Sequence, residues 1–280
     1  MSAISLLYQT DLPSYNDRTF EASIGNWTDE GNHVLSRTTA AGEFRTGIAA
    51  AKIIASGAGS YAANYIELGA ACMPPVILGL TYRVRLYAKA SAGTPSLIIA
   101  NAGHTGGQTI DELNSSTWTK CEFDFTAVAA DVSSHIIRIW TGSAATIYID
   151  DVQIFRIETF SNPLAISGID DPDSIEFFPS ELLQLPNGNY FRREPKVFNR
   201  NIMVKLGVLQ TKSKRVFLAE FAFKAKYTAL IYGSEEIEVV PRDPKQFQNE
   251  WLDDCSLEKY YVLDFIEKNG QTTNPTSWNS

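Results

Sequence analysis

The stretch Thr146–Ile157, TIYIDDVQIFRI, constrains this chain more than any other. Ile147 and Ile149 alternate with Thr146 and Tyr148, so a strand here has one apolar and one polar face. The apolar phase then moves to Val152, Ile154 and Ile157, leaving Asp150 and Asp151 where the parity breaks. A strand that changes phase at two carboxylates predicts a β-bulge or sharp bend at a sheet rim. It closes a β-rich segment that opens at Phe20-Glu21, and a different composition follows it.

Within that segment, residues 19–158, short apolar-polar alternations are separated by Gly, Ser, Asn and Thr. Tyr82, Val84 and Leu86 share one face and Arg83, Arg85 and Tyr87 the other. Cys121, Phe123 and Phe125 oppose Glu122 and Asp124, and Ile136 to Thr141 repeats the pattern. Two-residue periods with hardly a helical signal between them predict an all-β sandwich or barrel. Residues 1–18 read as an extended N-terminal arm, because Asp11, Pro13, Ser14, Asn16 and Asp17 interrupt any long element. Such an arm frays unless a neighbour ties it down.

Composition narrows the function. With 280 residues, 44% of them hydrophobic, the chain can bury a sizeable core and has room for two domains. A net charge of -8 argues against nucleic acid as a partner, since phosphate contacts need clustered Lys and Arg. No stretch reaches transmembrane length and the start lacks a basic secretory region, so neither a membrane nor the usual export route is expected. Cys72, Cys121 and Cys255 have no close spacing and read as reduced thiols, with Cys121 a buried apolar residue. The three histidines, His33, His104 and His135, lack metal spacing, and HExxH, GxSxG and CxxC are absent. An enzyme is not expected.

The order of the pieces then matters. Phe20-Glu21 followed by Trp27, LTYRVRLYAKA at 80–90, WTKCEFDFTA at 118–127 and IYIDDVQI at 147–154 resemble the carbohydrate-binding modules appended to xylanases and cellulases. These are jelly rolls of the galactose-binding-like class, and the resemblance covers about half the chain, residues 19–158. It implies a structural Ca2+ site built from Glu21 and Asp150, with Asp151 as the alternative to Asp150. Calcium takes several hard oxygen ligands and can draw the rest from loop carbonyls. The other reading is that the two aspartates cap turn amides and hold no metal. The resemblance also places sugar sites on a concave sheet face or at strand-joining loops. By parity the candidates for ligand binding are Arg83, Arg85 and Tyr87 on one strand and Arg138 and Trp140 on another, with Arg85, Tyr87, Arg138 and Trp140 preferred. Trp, Tyr and Arg serve equally well in protein contacts. Trp27 and Trp118 fall at family positions taken up by the core. The Gly-rich stretch Asn101 to Thr109 lacks a phosphate-loop ending and reads as flexible.

After Glu158 the acidic, turn-rich Ser161 to Ser174 reads as a linker or an ordered crossing segment, and residues 159–280 as a second β-rich domain. Pro186-Asn187-Gly188-Asn189 signals a turn. Ile202 to Leu209 and Arg215 to Phe223 predict one hairpin, Tyr227 to Tyr232 and Glu236 to Val240 a second, and Lys259 to Ile266 a last strand. Asp243 as an N-cap with Pro244 behind it predicts one short helix near 243–254. The expected architecture is thus mostly β, a jelly-roll β-sandwich followed by a β-rich domain with one short helix.

The missing chemistry and the arm favour a non-catalytic virion component, assembled in the host cytoplasm. In this reading the second domain contacts further copies and other virion proteins, while the jelly roll faces outward, with cell-surface glycan as a further candidate partner. Modules of this kind occur in bacteriophage tail and head proteins. The alternative is a sugar-binding adhesin or an accessory module of a glycoside-degrading system.

Overall fold

The computed structural model describes residues 3–10, 15–69, 76–133, 135–161, 165–167, 175–177, 181–184, 190–193, 198–206, 212–223, 228–241 and 261–267. The chain divides into two compact units, Gln9–Ile157 and a unit made of Met1–Tyr8 with Glu158–Ser280.

In chain order the first elements are β1 (Ile4–Gln9), the one-turn α1 (Tyr15–Thr19), β2 (Trp27–Asp29), β3 (His33–Thr38), β4 (Ala50–Ala55), β5 (Ile66–Gly69) and β6 (Thr81–Ala90). There follow β7 (Leu97–Asn101), β8 (Gly107–Ile110), β9 (Thr119–Thr126), α2 (Ala129–Ser133), β10 (His135–Thr141) and the long β11 (Ala145–Phe160). Within Gln9–Ile157 the strands make two antiparallel sheets, ordered β9-β6-β11-β4-β3 and β2-β5-β10-β7-β8. Alternation fills the space between them. Val84, Leu86, Phe123, Phe125, Ile147 and Ile149 are all buried in one cluster with Ile137 and Ile139 of the facing sheet. This is the sandwich that the two-residue periods predict. Cys121 lies in the same cluster, and burial pushes its thiol up to about 12, so it packs as an inert small apolar residue.

The bulge falls where the parity breaks. The β11–β6 register runs regularly from Ile147↔Ala90 to Asp150↔Tyr87, slips, and resumes at Gln153↔Arg85. Asp151 has φ 51°, the left-handed conformation that lets one extra residue leave the ladder. Val152 and Ile154 then return to the core. The Asn101 to Thr109 stretch is held in place instead of being flexible. Asn101 Nδ2 donates to Asp131 Oδ1 at 2.9 Å, Asn101 Oδ1 accepts Gly106 N–H at 2.8 Å, and β8 occupies its second half.

The other unit continues with β12 (Ala165–Ser167), β13 (Ile175–Phe177), β14 (Glu181–Gln184), β15 (Tyr190–Arg193), β16 (Phe198–Leu206), α3 (Lys212–Phe223), β17 (Thr228–Tyr232), β18 (Glu235–Pro241) and β19 (Tyr261–Glu267). β16 carries β12 and β13 on one side and β19 on the other; β18 pairs β19 and β17. The expected hairpin about Gly233-Ser234 is β17–β18, and the last strand is β19. β14 and β15 pair with each other; the turn expected at Pro186–Asn189 lies outside the described residues, as does the helix expected near 243–254.

One expectation changes here, and two open alternatives are decided. Arg215 to Phe223 is helix, not strand, and Ile202 to Leu206 therefore pairs with β19 instead of with it. The run VFLAEFAF has a helical solution in which Phe217, Leu218 and Phe221 meet the core while Val216 stays 38% exposed. Its Leu, Ala and Glu are good helix formers. The Ser161 to Ser174 stretch contains β12, in line with an ordered crossing segment. The N-terminal arm is tied down: β1 pairs β17 from Ile4↔Tyr232 to Tyr8↔Thr228, and Ile4 and Leu6 are fully buried. Tyr8 packs 5.3 Å from Phe217 and its hydroxyl donates to Glu220 of α3. Tyr8→Phe is therefore expected to lower stability in urea denaturation by about 1–2 kcal/mol, where a frayed arm gives no change.

Candidate ligand-binding face

The four preferred ligand residues do not form one site. Arg85 and Tyr87 project from β6 on the outer face of the first sheet, Arg138 and Trp140 from β10 on the outer face of the second. With a core layer about 10 Å thick between the sheets, one small ligand cannot touch both pairs.

The first outer face is occupied by the protein itself. Arg83 forks onto Asp124 through Nε at 2.6 Å and a terminal nitrogen at 2.9 Å. Arg85 is only 8% exposed, donates from Nε to Glu122 at 2.5 Å, and lies 4.9 Å over the Phe155 ring. The loop at 39–47 folds over the rest. Its Glu43 accepts hydrogen bonds from Thr38 and from Tyr148 at 2.7 Å, and pairs with Lys52 at 3.4 Å. Those hydrogen bonds, Thr38 first, hold the Glu43 carboxyl below the usual carboxylate range, while burial beside Glu43 pushes Tyr148 up to about 12. Arg45 of the same loop lies 3.6 Å over the Tyr87 ring and pairs with Asp151, and Lys89 donates to Gly42 O at 2.7 Å. Trp118, expected in the core, is instead half-buried at this face, with Lys89 5.9 Å over its ring.

The carboxylates assigned to calcium meet the end of that loop. Asp150 is fully buried; its Oδ2 accepts the amide hydrogens of Arg45 at 2.8 Å and Thr46 at 3.1 Å, and its Oδ1 that of Asp151 at 2.8 Å. Burial pushes its carboxyl up to about 6 against the opposite pull of those amides. Glu21 accepts the Ile48 amide through both oxygens at 3.1 Å. Gly47 sits between with φ +63°, and a Cβ there would fall 1.6 Å from Glu21 Oε1. Asp151 accepts from Thr46 Oγ1 at 2.6 Å and from Arg45. Glu21 and Asp150 thus cap one four-residue loop. The donors are hard oxygens, the type calcium takes. Among the described residues no three His, Cys, Asp or Glu side chains converge as a metal group, so a cation here would need loop carbonyls as further ligands.

The second outer face is different. Trp140 is partly exposed and meets the Tyr61 ring edge-on, centroids 6.0 Å apart at 79°. Arg138 lies 3.8 Å over the Tyr65 ring and 4.9 Å over Tyr61. Its Nε donates to Glu67 at 2.9 Å and a terminal nitrogen to the Tyr61 carbonyl at 2.8 Å. His104, φ 54°, lies against Tyr61 with ring centroids 3.5 Å apart and planes tilted 56°, and the Tyr61 hydroxyl donates to Ala102 O at 2.6 Å. Burial raises both tyrosine hydroxyls, with the Arg138 cation pulling the other way. On the neighbouring strands Arg138 faces Ala100 and Gly107, and Trp140 faces Ile98 and Thr109. Ala100 and Gly107 set small residues beside the rings, and the charge of Arg138 is already met by Glu67. Such a surface suits a flat, uncharged, hydroxyl-rich ligand, with rings for its apolar faces and a fixed guanidinium for its oxygens.

Tyr61, Tyr65, Glu67 and His104 were not among the sequence candidates. Part of the signal was there: Tyr65 and Glu67 alternate with buried Ile66 and Leu68. That Glu67 stands opposite Arg138 is a matter of β5–β10 register.

Residues 13–146 match the model of the family described as carbohydrate binding domain. Curated proteins give no match to the chain. Among solved structures, the chain is similar to the CBM22-1–GH10 modules of Clostridium thermocellum xylanase 10B complexed with xylohexaose, at 20% identity over 50% of this chain, with a TM-score of 0.38. It spans only 28% of that protein. The CBM22-2 xylan-binding domain of Paenibacillus barcinonensis Xyn10C aligns at 20% identity over 50% of this chain and 97% of its own, TM-score 0.36. A putative sugar binding protein from Bacteroides thetaiotaomicron aligns at 15% over 47% and 88%, TM-score 0.36. The span from residue 13 to residue 146, which carries both outer faces, is thus similar to carbohydrate binding domains.

Proposed function

We propose that the Gln9–Ile157 unit is a glycan-binding module whose site is the face formed by Tyr61, Tyr65, Arg138 and Trp140. The observation that carries this is the contrast between the faces: one is clasped by the 39–47 loop and its ion pairs, the other presents partly exposed rings around a guanidinium held by Glu67. The family match supplies the ligand class and gives sugar recognition, as an adhesin or accessory module, precedence over the virion reading. The expected partner is an uncharged polysaccharide, and the module contributes binding, not catalysis. Titration calorimetry with xylohexaose tests it; heat of binding that saturates is expected, and none with xylohexaose or with cello-oligosaccharides would refute it.

The assembly role remains a proposal for the other unit, supported by the exposed apolar side chains of Met203, Val216 and Val240. Mass measurement during size-exclusion chromatography checks it, a monomer at all concentrations counting against it.

Calcium is proposed for the loop that Glu21 and Asp150 cap. Chelator is expected to lower the melting temperature by a few degrees and added calcium to restore it, since a ligand of the folded state stabilises by mass action. If chelator changes nothing while Glu21→Ala still destabilises, the carboxylates act by amide capping alone.

A further inference from the structure

His33 opens β3 in the first sheet yet reaches the end of β10 in the second. It is 1% exposed. Its Nδ1 stands 2.7 Å from Asn32 Oδ1, which can only accept, so the ring proton is on Nδ1. Nε2 is then a bare acceptor and takes the Thr141 amide hydrogen at 3.3 Å. The Thr141 hydroxyl is spent on Ser143 O at 2.8 Å. Thr141 O in turn accepts the Gly59 amide at 2.8 Å, and Gly59 lies close to the His33 ring and to the root of the Trp140 side chain: a Cβ on it would lie 2.8 Å from both His33 Cε1 and Trp140 Cβ. Two residues beyond Gly59 is Tyr61, in a turn closed by Ser60 N–H to Ala63 O at 2.8 Å. One neutral imidazole therefore backs both Trp140, through its chain neighbour Thr141, and Tyr61, through Gly59.

Building on the glycan-binding reading above, we propose that His33 is a positioning residue for the ligand face, holding Trp140 and the Tyr61 turn when neutral and releasing them when protonated, so that glycan binding weakens in acid. A proton on Nε2 points at the Thr141 N–H, which loses its acceptor, and the imidazolium turns toward Thr141 Oγ1, 3.4 Å away. Among the described residues the groups that face it are uncharged: Asn32 from its own turn, Ala55 across the β3–β4 pair, Gly59 from the loop and Thr141 from β10. Glu30 meets it only through a backbone carbonyl, 3.5 Å from His33 N, and the Asp29 carboxylate accepts from Leu35 N. Burial alone lowers the affinity of the ring for a proton. The folded-state value lies below that of the free side chain, so the stabilising contribution is present above about pH 6.5 and is lost as pH falls below it.

The other histidine at this face is His104, exposed beside Tyr61. Calorimetric titration with xylohexaose from pH 7.5 to pH 5.0 is expected to show affinity falling about fivefold or more in the wild type. His104→Gln should keep that fall. His33→Gln should flatten it, because an amide oxygen can accept the Thr141 hydrogen at every pH. A fall that persists in His33→Gln, or vanishes in His104→Gln, overturns the proposal. Absence of binding at pH 7.5 refutes the glycan reading itself; positioning is then decided by NMR on the free wild-type protein. The Thr141 and Gly59 amide shifts are expected to titrate with the His33 ring, and amides that stay still while that ring titrates overturn it.

Discussion

Trp140→Ala is expected to abolish measurable binding of xylohexaose, and Tyr87→Ala to leave it unchanged. Trp140 provides the largest ring on the open face, and truncating an aromatic anchor of a binding surface typically costs about 2 kcal/mol or more, a loss of roughly 30-fold. Its removal also takes the edge contact from Tyr61. Tyr87, although it shares strand, spacing and an Arg neighbour with the kind of residue that binds sugar, lies beneath Arg45. Calorimetry on the two variants, with circular dichroism to confirm the fold, separates the faces. Equal loss from both would mean that the 39–47 loop opens and that the first sheet binds.

The second large effect is on stability. Phe125→Ala removes a ring that is 2% exposed, stacked 5.7 Å from Tyr82 and tilted against Phe123 at 6.4 Å, on the inner face of β9. Lost transfer energy and the cavity left behind together cost about 3–5 kcal/mol. Against a total stability of about 5–15 kcal/mol this is a large share, and at roughly 2–4 °C per kcal/mol the melting temperature should fall by about 6–20 °C. Urea denaturation should show a lower midpoint with an unchanged slope. Ile54→Ala, at a side chain 43% exposed, should change stability by less than about 0.5 kcal/mol. A small effect at Phe125 would mean that the alternation of β9 does not point this face inward.

How far the sequence carries can be judged residue by residue. Alternation assigns Val84, Phe123 and Ile149 to the core because a strand has only two faces and water decides between them. The phase slip at Asp150-Asp151 betrays the bulge for the same reason. Parity does not say which sheet a strand joins. Tyr87 and Trp140 therefore looked like one equipment set, though β6 and β10 lie in opposite sheets. The partners that silence Arg83 and Arg85, and the loop that covers Tyr87 and Tyr148, depend on pairing between residues far apart in the chain. In Val216 to Phe223 the apolar run is continuous, so neither period stands out, and the helix follows from packing of Phe217 and Phe221. Tyr65 and Glu67 were legible by alternation, but their significance comes from standing beside Arg138.

The central claim, that the β10 face is the ligand site, is tested most directly by NMR titration of the isotopically labelled protein with xylohexaose. The amide and side-chain signals of Tyr61, Tyr65, Arg138 and Trp140 are expected to shift in a saturable way while those of Arg85 and Tyr87 stay in place. Saturable shifts centred on Arg85 and Tyr87, with the β10 face unmoved, would contradict it.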